Sequence, residues 1–518
     1  MTRETDSLCI CVVGAGISGL AIAWYLEREA AARGASLSCT VLEQSDRAGG
    51  KILSEVVEVQ APSGDGQPGR FVVEGGPDSF LAMQKPWGVR LAEELGMTSR
   101  LIGTDQEDRT VFVVSRGRPL KLPDGIFLLA PTRFLPFLRS PLISPWGKLR
   151  MGLDLVIPAR KDARDETLGG FVNRRLGREA LDKIAEPLLS GIYSAEVDRQ
   201  SLLATFPRFR EMERKHRSLI KATRAGQSAG RSRAPAAGSR PRGGGPLGAA
   251  SVPPSAFVSF ADGMAELVQV LVAHLHPRVQ YGRRVVGIDR LEGGTGFRVR
   301  LAAGGGAADE PDTIEVDGVV LATPAFTSAE LLDGLAPNAT RLLRTVRYVN
   351  SGSISLGYRE DASWASVCAR LKGFGILVPA SEKRPINAIT WSSVKFPGRA
   401  PAGHSLLRVF FGGSRSPLSF DLDDAELLAM VKGQLAEIMG IREELLFHRI
   451  HRWPRGIPQY DLGHLERVAA AEEALPEGIC VTGSPYRGIG IPDCARQAAD
   501  TARQLMDGLS GKGGTQWK

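Results

Sequence analysis

Residues 9–13 are uniformly apolar, the pattern of a short buried strand. Gly14, Gly16 and Gly19 follow at once, and then Leu20, Ala23, Trp24 and Leu26 recur at helical intervals. A second buried strand is expected over residues 39–42. "FVVEGGPDSFLA" (Phe71–Ala82) reads as a strand running into a glycine turn. "DRTVFVVSRGRPLKLP" (Asp108–Pro123) reads as two strands joined at Gly117. From Gly125 to Leu219 the apolar periodicity is mainly helical. A strand is expected at Phe257–Phe260, a turn at Asp262 and Gly263, and an amphipathic helix over 264–275. Further strands are expected near 284–288, 297–301 and 317–324. The alternation from Ser351 to Gly412 predicts an antiparallel sheet, and a helix follows near 425–439. The last block predicts a strand at 479–482, a glycine loop, and a helix whose first turn holds Pro492 and Asp493.

At 518 residues and 43% hydrophobic, the chain is long enough for about two to four domains. Its formal net charge of +8 is unevenly placed. Arg224 to Ala250 holds five arginines and no acid, and without that stretch the remainder is only about +3. Residues 224–255 are rich in Gly, Ala, Ser, Pro and Arg and cannot bury enough to order themselves, so a disordered insertion is expected. It lacks the interleaved aromatics of an RNA-binding arginine segment, and nucleic acid is not an expected partner. The cysteines at 9, 11, 39, 368, 480 and 494 form no C-x-x-C, which argues against a zinc site or a redox pair. The strand at Cys9 leaves no room for a secretory leader, and no uncharged apolar run is long enough to span a bilayer. The expected location is cytoplasmic. Residues 126–158 are apolar, broken by prolines, and carry Arg133, Arg139, Lys148 and Arg150. That pattern fits a surface dipping into the inner face of a membrane, with cations at the headgroups, as well as it fits an ordinary helical core.

The spacing G-x-G-x-x-G after a strand has a mechanical meaning. Gly14 permits the tight turn, Gly16 lets backbone approach a pyrophosphate, and Gly19 lets helix pack on strand. Alone, the pattern also fits a plain strand-to-helix turn. Glu43 stands 24 residues after Gly19, at the end of the second strand, where an acid grips ribose hydroxyls. Arg47, Gly49 and Gly50 add R-x-G-G, a second backbone approach with a cation near the diphosphate. Together these predict noncovalently bound FAD, with no metal. The C-terminal helix start would face the flavin pyrimidine edge and stabilise negative charge on a reduced ring. Apolar candidates for a substrate pocket are Leu377, Ile389, Phe396 and Phe410, with Gly191 permitting close approach of a flat ligand. Each also fits ordinary sheet core.

Several stretches together resemble the oxygen-dependent protoporphyrinogen oxidases. They are "GAGISGLA", "EGGPDSF", "PLLSGIYSAEVDRQSLLATFPRFREMERKHRSLI", "GFGILVP", "FPGRAP", "GIPQYDLGH" and "YRGIGIPDC". The resemblance implies an α/β fold class, with a Rossmann-like FAD-binding domain, an inserted mixed α+β substrate domain and a helical membrane-associated domain. The corresponding boundaries are 1–85, 253–330 and 474–512 for the first, 86–120 and 331–473 for the second and 121–222 for the third, with the insertion at 223–252. It implies oxidation of a porphyrinogen to a porphyrin in three two-electron steps, each reducing the flavin, with oxygen as acceptor and hydrogen peroxide as product. Implied partners are the porphyrinogen, oxygen, a membrane surface and a second copy of the chain as a homodimer. Implied cofactor contacts are Gly14, Ala15, Gly16, Ile17, Ser18, Gly19, Glu43, Gln44 and Lys51. A second group is Gly76, Pro77, Asp78 and Ser79. Val285, Trp453, Ile489, Gly490 and Ile491 complete the set. Arg109 is the implied propionate partner, although Val111 occupies the matching slot; a two-residue offset keeps the same strand face. Lys51 stands where amine oxidases usually carry arginine. Coproporphyrinogen oxidation on the same fold stays open as an alternative, as does an amine oxidase or carotenoid desaturase.

Overall fold

The computed structural model describes residues 7–59, 69–123, 126–127, 129–131, 134–225, 252–253, 255–276, 278–293, 296–302 and 312–510. Most of the expected arginine-rich insertion, residues 226–251, lies outside the described residues.

Among the described residues, five parallel strands form one sheet, in the order Val279–Gln280, Leu37–Leu42, Leu8–Val13, Gly318–Leu321, Ile479–Val481. Val12 sits between Val41 and Val320, and Val320 in turn lies beside Cys480. Such strands are covered on both faces, which is why they read as unbroken apolar runs. The helices Ile17–Arg33, Ala265–Leu275 and Ile491–Ser510 bury Leu20, Leu271, Ala495 and Ala502 against one face. On the other face lie a three-stranded antiparallel sheet, contributing Phe297, Val299 and Leu301, and the helices Ala325–Leu331 and Pro337–Leu343. Gly14 adopts φ +100° at the end of the first strand. A Cβ on Gly19 would stand 1.8 Å from the Gly14 carbonyl oxygen, so the helix lies against the turn at a distance only glycine allows.

A second sheet of seven strands runs in the order Phe447–Pro458, Tyr348–Arg359, His404–Gly412, Ala388–Trp391, Gly375–Leu377, Val111–Ser115, Arg118–Lys121. The 351–412 alternation predicted four of these. Val111–Ser115 joins through a parallel pairing with Gly375–Leu377. Phe447–Pro458 adds an edge strand, a position where its prolines and arginines are tolerated. One face of this sheet buries Ile354, Ile376, Ile389, Trp391, Leu407, Val409 and Phe411 under the helices Ala362–Leu371 and Asp424–Ile438.

The 125–219 region is helical as its periodicity indicates, with helices Phe134–Arg139, Pro145–Gly152, Leu168–Leu176 and Pro207–His216. Leu181–Ser190 winds as a π-helix around Pro187. Proline has no N–H to donate, and the wider turn accommodates its ring. At the centre of this region Arg175 is fully buried. Its Nε donates to Asp154 at 2.7 Å, and its other nitrogens donate to the carbonyls of Asp154, Ile157 and Arg217. Asp154 also accepts from Ser218 Oγ and the Ile220 amide.

Removing one partner of a buried pair strands the other in low dielectric. Arg175→Ala is therefore expected to lower unfolding free energy by about 3–5 kcal/mol. The exposed Arg178→Ala should change it by less than about 0.5 kcal/mol, as read by urea denaturation.

Candidate active site

A cavity of about 470 Å³ opens at the carboxyl ends of the parallel strands, where open α/β sheets place their ligands. Gly14, Gly16, Ile17 and Ser18 form its floor. The helix Ile17–Arg33 has no side-chain cap and no acid in its first turn, so its N-terminal amides remain available to an anion. A Cβ on Gly16 would meet no atom within 4 Å; the space above it belongs to the cavity. Glu43, Gln44, Arg283 and Val285 also line it, as do Pro77, Tyr348, Ile489, Ile491 and Cys494. The Arg283 Nε is buried without a hydrogen-bond partner among the described residues. Burial pushes the Lys51 ammonium below its ordinary pKa, so a ligand phosphate would restore what burial removes. An elongated dinucleotide with a diphosphate at its middle fits this donor set.

Several expected cofactor residues occupy this cavity wall, and others support it. Glu43 accepts from the Ala15 amide at 2.8 Å and from Ser45, which fixes its carboxylate at the rim. Arg47 donates to the carbonyls of Ala48, Gly50 and Ile52. It braces the glycine loop from within rather than facing the cavity. Gly76 stacks so closely on Lys51 that a Cβ would lie 1.7 Å from the Lys51 carbonyl oxygen. Trp453 Nε1 donates to the Gly75 carbonyl at 2.8 Å. At the far end, the hydroxyl of Tyr460 donates to the Ser484 carbonyl and accepts from the Gly488 amide. His464 stacks on Tyr460 at 4.0 Å, and its Nε2–H lies 2.8 Å from the Tyr486 carbonyl. Burial pushes His464 down to about 4, so the ring is neutral. The stretch "GIPQYDLGH" thus lines the cavity with residues 456–458 and ties down the C-terminal loop with Tyr460 and His464.

Asp78 and Ser79 point away from the cavity into a group of charges on the sheet side. Lys395 Nζ lies 2.9 Å from Asp78 and 3.3 Å from Ser79 Oγ. Burial alone would raise the Asp78 carboxyl, but Lys395 and Arg408 outweigh it and hold the group below the usual carboxylate range. Glu74 accepts from Ser54 Oγ at 2.6 Å and the Met264 amide at 2.9 Å, and pairs with Arg399 at 3.5 Å. Burial, helped by Arg408, lowers His451, which packs on Gly75.

The face of the seven-stranded sheet turned to this loop carries one straight cross-strand row: Val113, Leu377, Ala388, Phe410, Ser353, His451. Its apolar end meets the helical region, where Val113 and Leu377 pack with Leu181 and Ile184. Its polar end meets Gly75–Ser79. Leu377 and Phe410 are each half-buried on this face. Gly191 has open space where a Cβ would stand. It is close in sequence to Ser194, whose carbonyl accepts from Ser414 just past the strand holding Phe410. Ile389 is not brought to this row; strand alternation turns it into the opposite core beside Val409. Phe396 is sealed at 1% exposure beneath Lys395 and Arg399. Arg109 is exposed, and its Nε donates to the Asp105 carbonyl. The Asp105 amide in turn donates to the Lys395 backbone carbonyl, and Arg109 is not brought to the row.

Sequence reasoning passed over Arg283, Tyr348 and residues 456–458. Arg283 stands two residues before Val285, and the Gly-Ile-Pro stretch could have marked a cavity-lining turn. Tyr348 offers no local signal.

A model of the flavin containing amine oxidoreductase family matches residues 17–506. The chain is 32% identical to the coproporphyrinogen III oxidase of Bacillus subtilis (strain 168), over 94% of this chain and 96% of that protein. It is 34% identical to that of Propionibacterium freudenreichii subsp. freudenreichii, over 96% and 90%. It is 28% identical to the chloroplastic protoporphyrinogen oxidase 1 of Arabidopsis thaliana, over 98% and 89%. Among solved structures, one from Exiguobacterium sp. 255-15, assigned as a protoporphyrinogen oxidase, superposes with a TM-score of 0.78 at 26% identity, covering 98% of this chain and 100% of that one. Putrescine oxidase bound to putrescine superposes at 0.64 with 17% identity, over 97% and 100%, and shares the fold.

Gly16→Val puts its side chain into space that only a ligand contests. Purified protein is expected to lose at least about tenfold in affinity for FAD. Its apo melting temperature should stay within a few degrees of wild type, as read by flavin fluorescence and calorimetry.

Proposed function

The chain belongs to the flavin containing amine oxidoreductase family and is a FAD-dependent oxidoreductase, and from that premise we propose that it oxidises a porphyrinogen to the porphyrin. The observation that carries this reading is the flat row Leu377–Ala388–Phe410 beside the loop Gly75–Ser79. It offers a greasy floor to a macrocycle on one side of the flavin-binding cavity, with charged groups at one end. Near-full-length similarity to named porphyrinogen oxidases supports it.

Bound FAD supplies the acceptor for a hydride. The chain's own residues do the rest. The amides of the Gly14–Ser18 turn, Lys51 and Arg283 would hold the diphosphate and adenosine side of the cofactor. Pro77, Tyr348, Ile489 and Ile491 would confine its ring end, and Trp453 braces the Gly75 backbone. Leu377 and Phe410 exclude water and align the macrocycle, which is what hydride transfer at short range requires. No general acid–base triad is needed. Each two-electron step removes one hydride from a bridging carbon and one proton; over the three steps the bridging carbons lose four hydrogens and the pyrrole nitrogens two, so one of the protons leaves a bridging carbon by imine–enamine tautomerisation. Three steps give the porphyrin, and with oxygen as the final acceptor one hydrogen peroxide would form per step.

Protoporphyrinogen IX, with two propionates, suits the mostly apolar row. Coproporphyrinogen III, with four, is the second reading, favoured by the 32% and 34% identities to the two bacterial enzymes against 28% to the plant one.

We also propose that the helical region rests on a membrane surface. Among the described residues no helix is long and apolar enough to cross one. Trp146 is 80% exposed and Val156 75%, with Leu135, Leu138 and Leu149 also outward. Of these, Leu138, Leu149 and Val156 line an apolar groove of about 700 Å³. Two of the cations expected at headgroups serve the fold instead. Lys148 donates to the Leu138 and Ser140 carbonyls, and Arg150 to those of Asn173, Arg174 and Arg175. Arg139 is exposed beside the groove, and Arg133 lies outside the described residues.

Anaerobic mixing with protoporphyrinogen IX or coproporphyrinogen III is expected to bleach the flavin, and oxygen should restore its colour with porphyrin fluorescence and peroxide. A flavin that stays oxidised with both would overturn the assignment, and the ratio of kcat/KM ranks the substrates. Separately, the double substitution Trp146→Glu with Leu149→Glu is expected to weaken sedimentation with anionic phospholipid vesicles at least about tenfold, with FAD content unchanged. Equal sedimentation would exclude the membrane surface.

A further inference from the structure

Three arginines are buried among the described residues: Arg175, Arg399 and Arg408. Arg175 bonds Asp154, and Arg399 lies 3.5 Å from Glu74 while donating to Ser259 and two carbonyls. Arg408 is different. Only 4% exposed, it donates through Nη2 to Ser353 Oγ at 2.9 Å, touches no carboxylate, and leaves its Nε without a partner. Its nearest negative charge, Asp78, is already bonded by Lys395. With Glu74 matched by Arg399, the group Asp78, Lys395 and Arg408 carries one uncompensated positive charge. A buried cation with an open donor is costly unless an anion completes it.

The position of Arg408 says which anion. It lies on the same strand face as Phe410, with its guanidinium over the Phe410 ring at 4.8 Å. Thr390 and Ser355 flank it on the neighbouring strands. It therefore stands at the edge of the row on which the macrocycle is placed above. It does not line the cofactor cavity. Guanidinium groups favour carboxylates, which they bind through paired N–H donors.

We propose that Arg408 receives a propionate carboxylate of the substrate inside the site, and that this contact helps set which porphyrinogens are accepted. The assignment rests on the reading of the site given above. A carboxylate there satisfies Nε and cancels the excess charge. It also fixes the rotation of the macrocycle about its own axis, and hence which bridging carbon meets the flavin first. An esterified propionate keeps the shape but loses the charge, and gains nothing from Arg408.

The test compares wild type, Arg408→Gln and Arg408→Lys on protoporphyrinogen IX and its dimethyl ester, and on coproporphyrinogen III and its tetramethyl ester. In wild type the free acids should be preferred. In Arg408→Gln the acid-to-ester ratio of kcat/KM should fall at least about tenfold, chiefly through KM. Arg408→Lys should recover part of it. The flavin reduction potential and visible spectrum should not move. A parallel loss on acids and esters would make Arg408 a structural brace for Asp78 and overturn the assignment. So would an unchanged ratio, or a shifted flavin potential with unchanged KM. Wild type inactive on every porphyrinogen would overturn the reading of the site together with this assignment, whereas wild-type turnover with an unaltered ratio overturns this assignment alone.

Discussion

The cofactor cavity exists because two backbones touch. Gly19 lies so near the Gly14 carbonyl that a methyl group would collide with it, and Gly76 lies equally near Lys51. These two contacts set the heights of the first helix and of the Gly75–Ser79 loop relative to the strand ends. The groups that line the cavity are measured from them: the open amides of the helix, the ammonium of Lys51, the carboxylate of Glu43. A side chain at either glycine would move one wall and leave the opposite wall where it was, since the parallel sheet beneath is locked by close packing on both faces.

A second constraint acts where the sheets and helices meet: charge taken out of water must be matched. Arg415 reaches across from the seven-stranded sheet to Glu186 on the π-helix at 2.5 Å, and Glu186 also accepts from the Ala380 amide. Lys85 reaches Asp493 at the start of the C-terminal helix at 2.6 Å. Arg399 ties the loop after the Ala388–Trp391 strand to the carbonyls of Phe260 and Ala261. These pairs are not a large source of stability, because desolvation offsets much of the attraction. Their effect is geometric. They admit one relative placement of the elements and penalise others, which gives the face carrying Phe410 a fixed distance from Pro77.

Much of the parallel sheet was legible from sequence, because buried strands and their glycine turns leave local signatures. The first strand, the following helix and the strands near 318 and 479 were located to within about three residues. Arg47 was misjudged for a local reason: a cation beside a glycine loop serves a phosphate or the loop's own carbonyls equally well, and spacing does not choose. Ile389 illustrates a different limit. Whether a strand residue faces a pocket or a core depends on the pairing register across four strands, and an apolar letter is compatible with both. Arg408 lies in "LLRVFFGG", a run that reads as strand. Its one charged letter looks like a solvent-facing position until the loop from another part of the chain is laid over it. Tyr348 likewise enters the cavity through tertiary placement alone.

The strand Leu8–Val13 has as its neighbours Leu37–Leu42 on one side and Gly318–Leu321 on the other, and the latter is flanked by Ile479–Val481. The helix that follows the first strand packs on the one that follows the last. During synthesis the earliest segment therefore waits, as ribosomes add residues one by one, for partners made hundreds of positions later. The cavity gains its last walls only when residues 484–494 have been made, so a chain stopped short of them lacks part of the surface meant for the coenzyme.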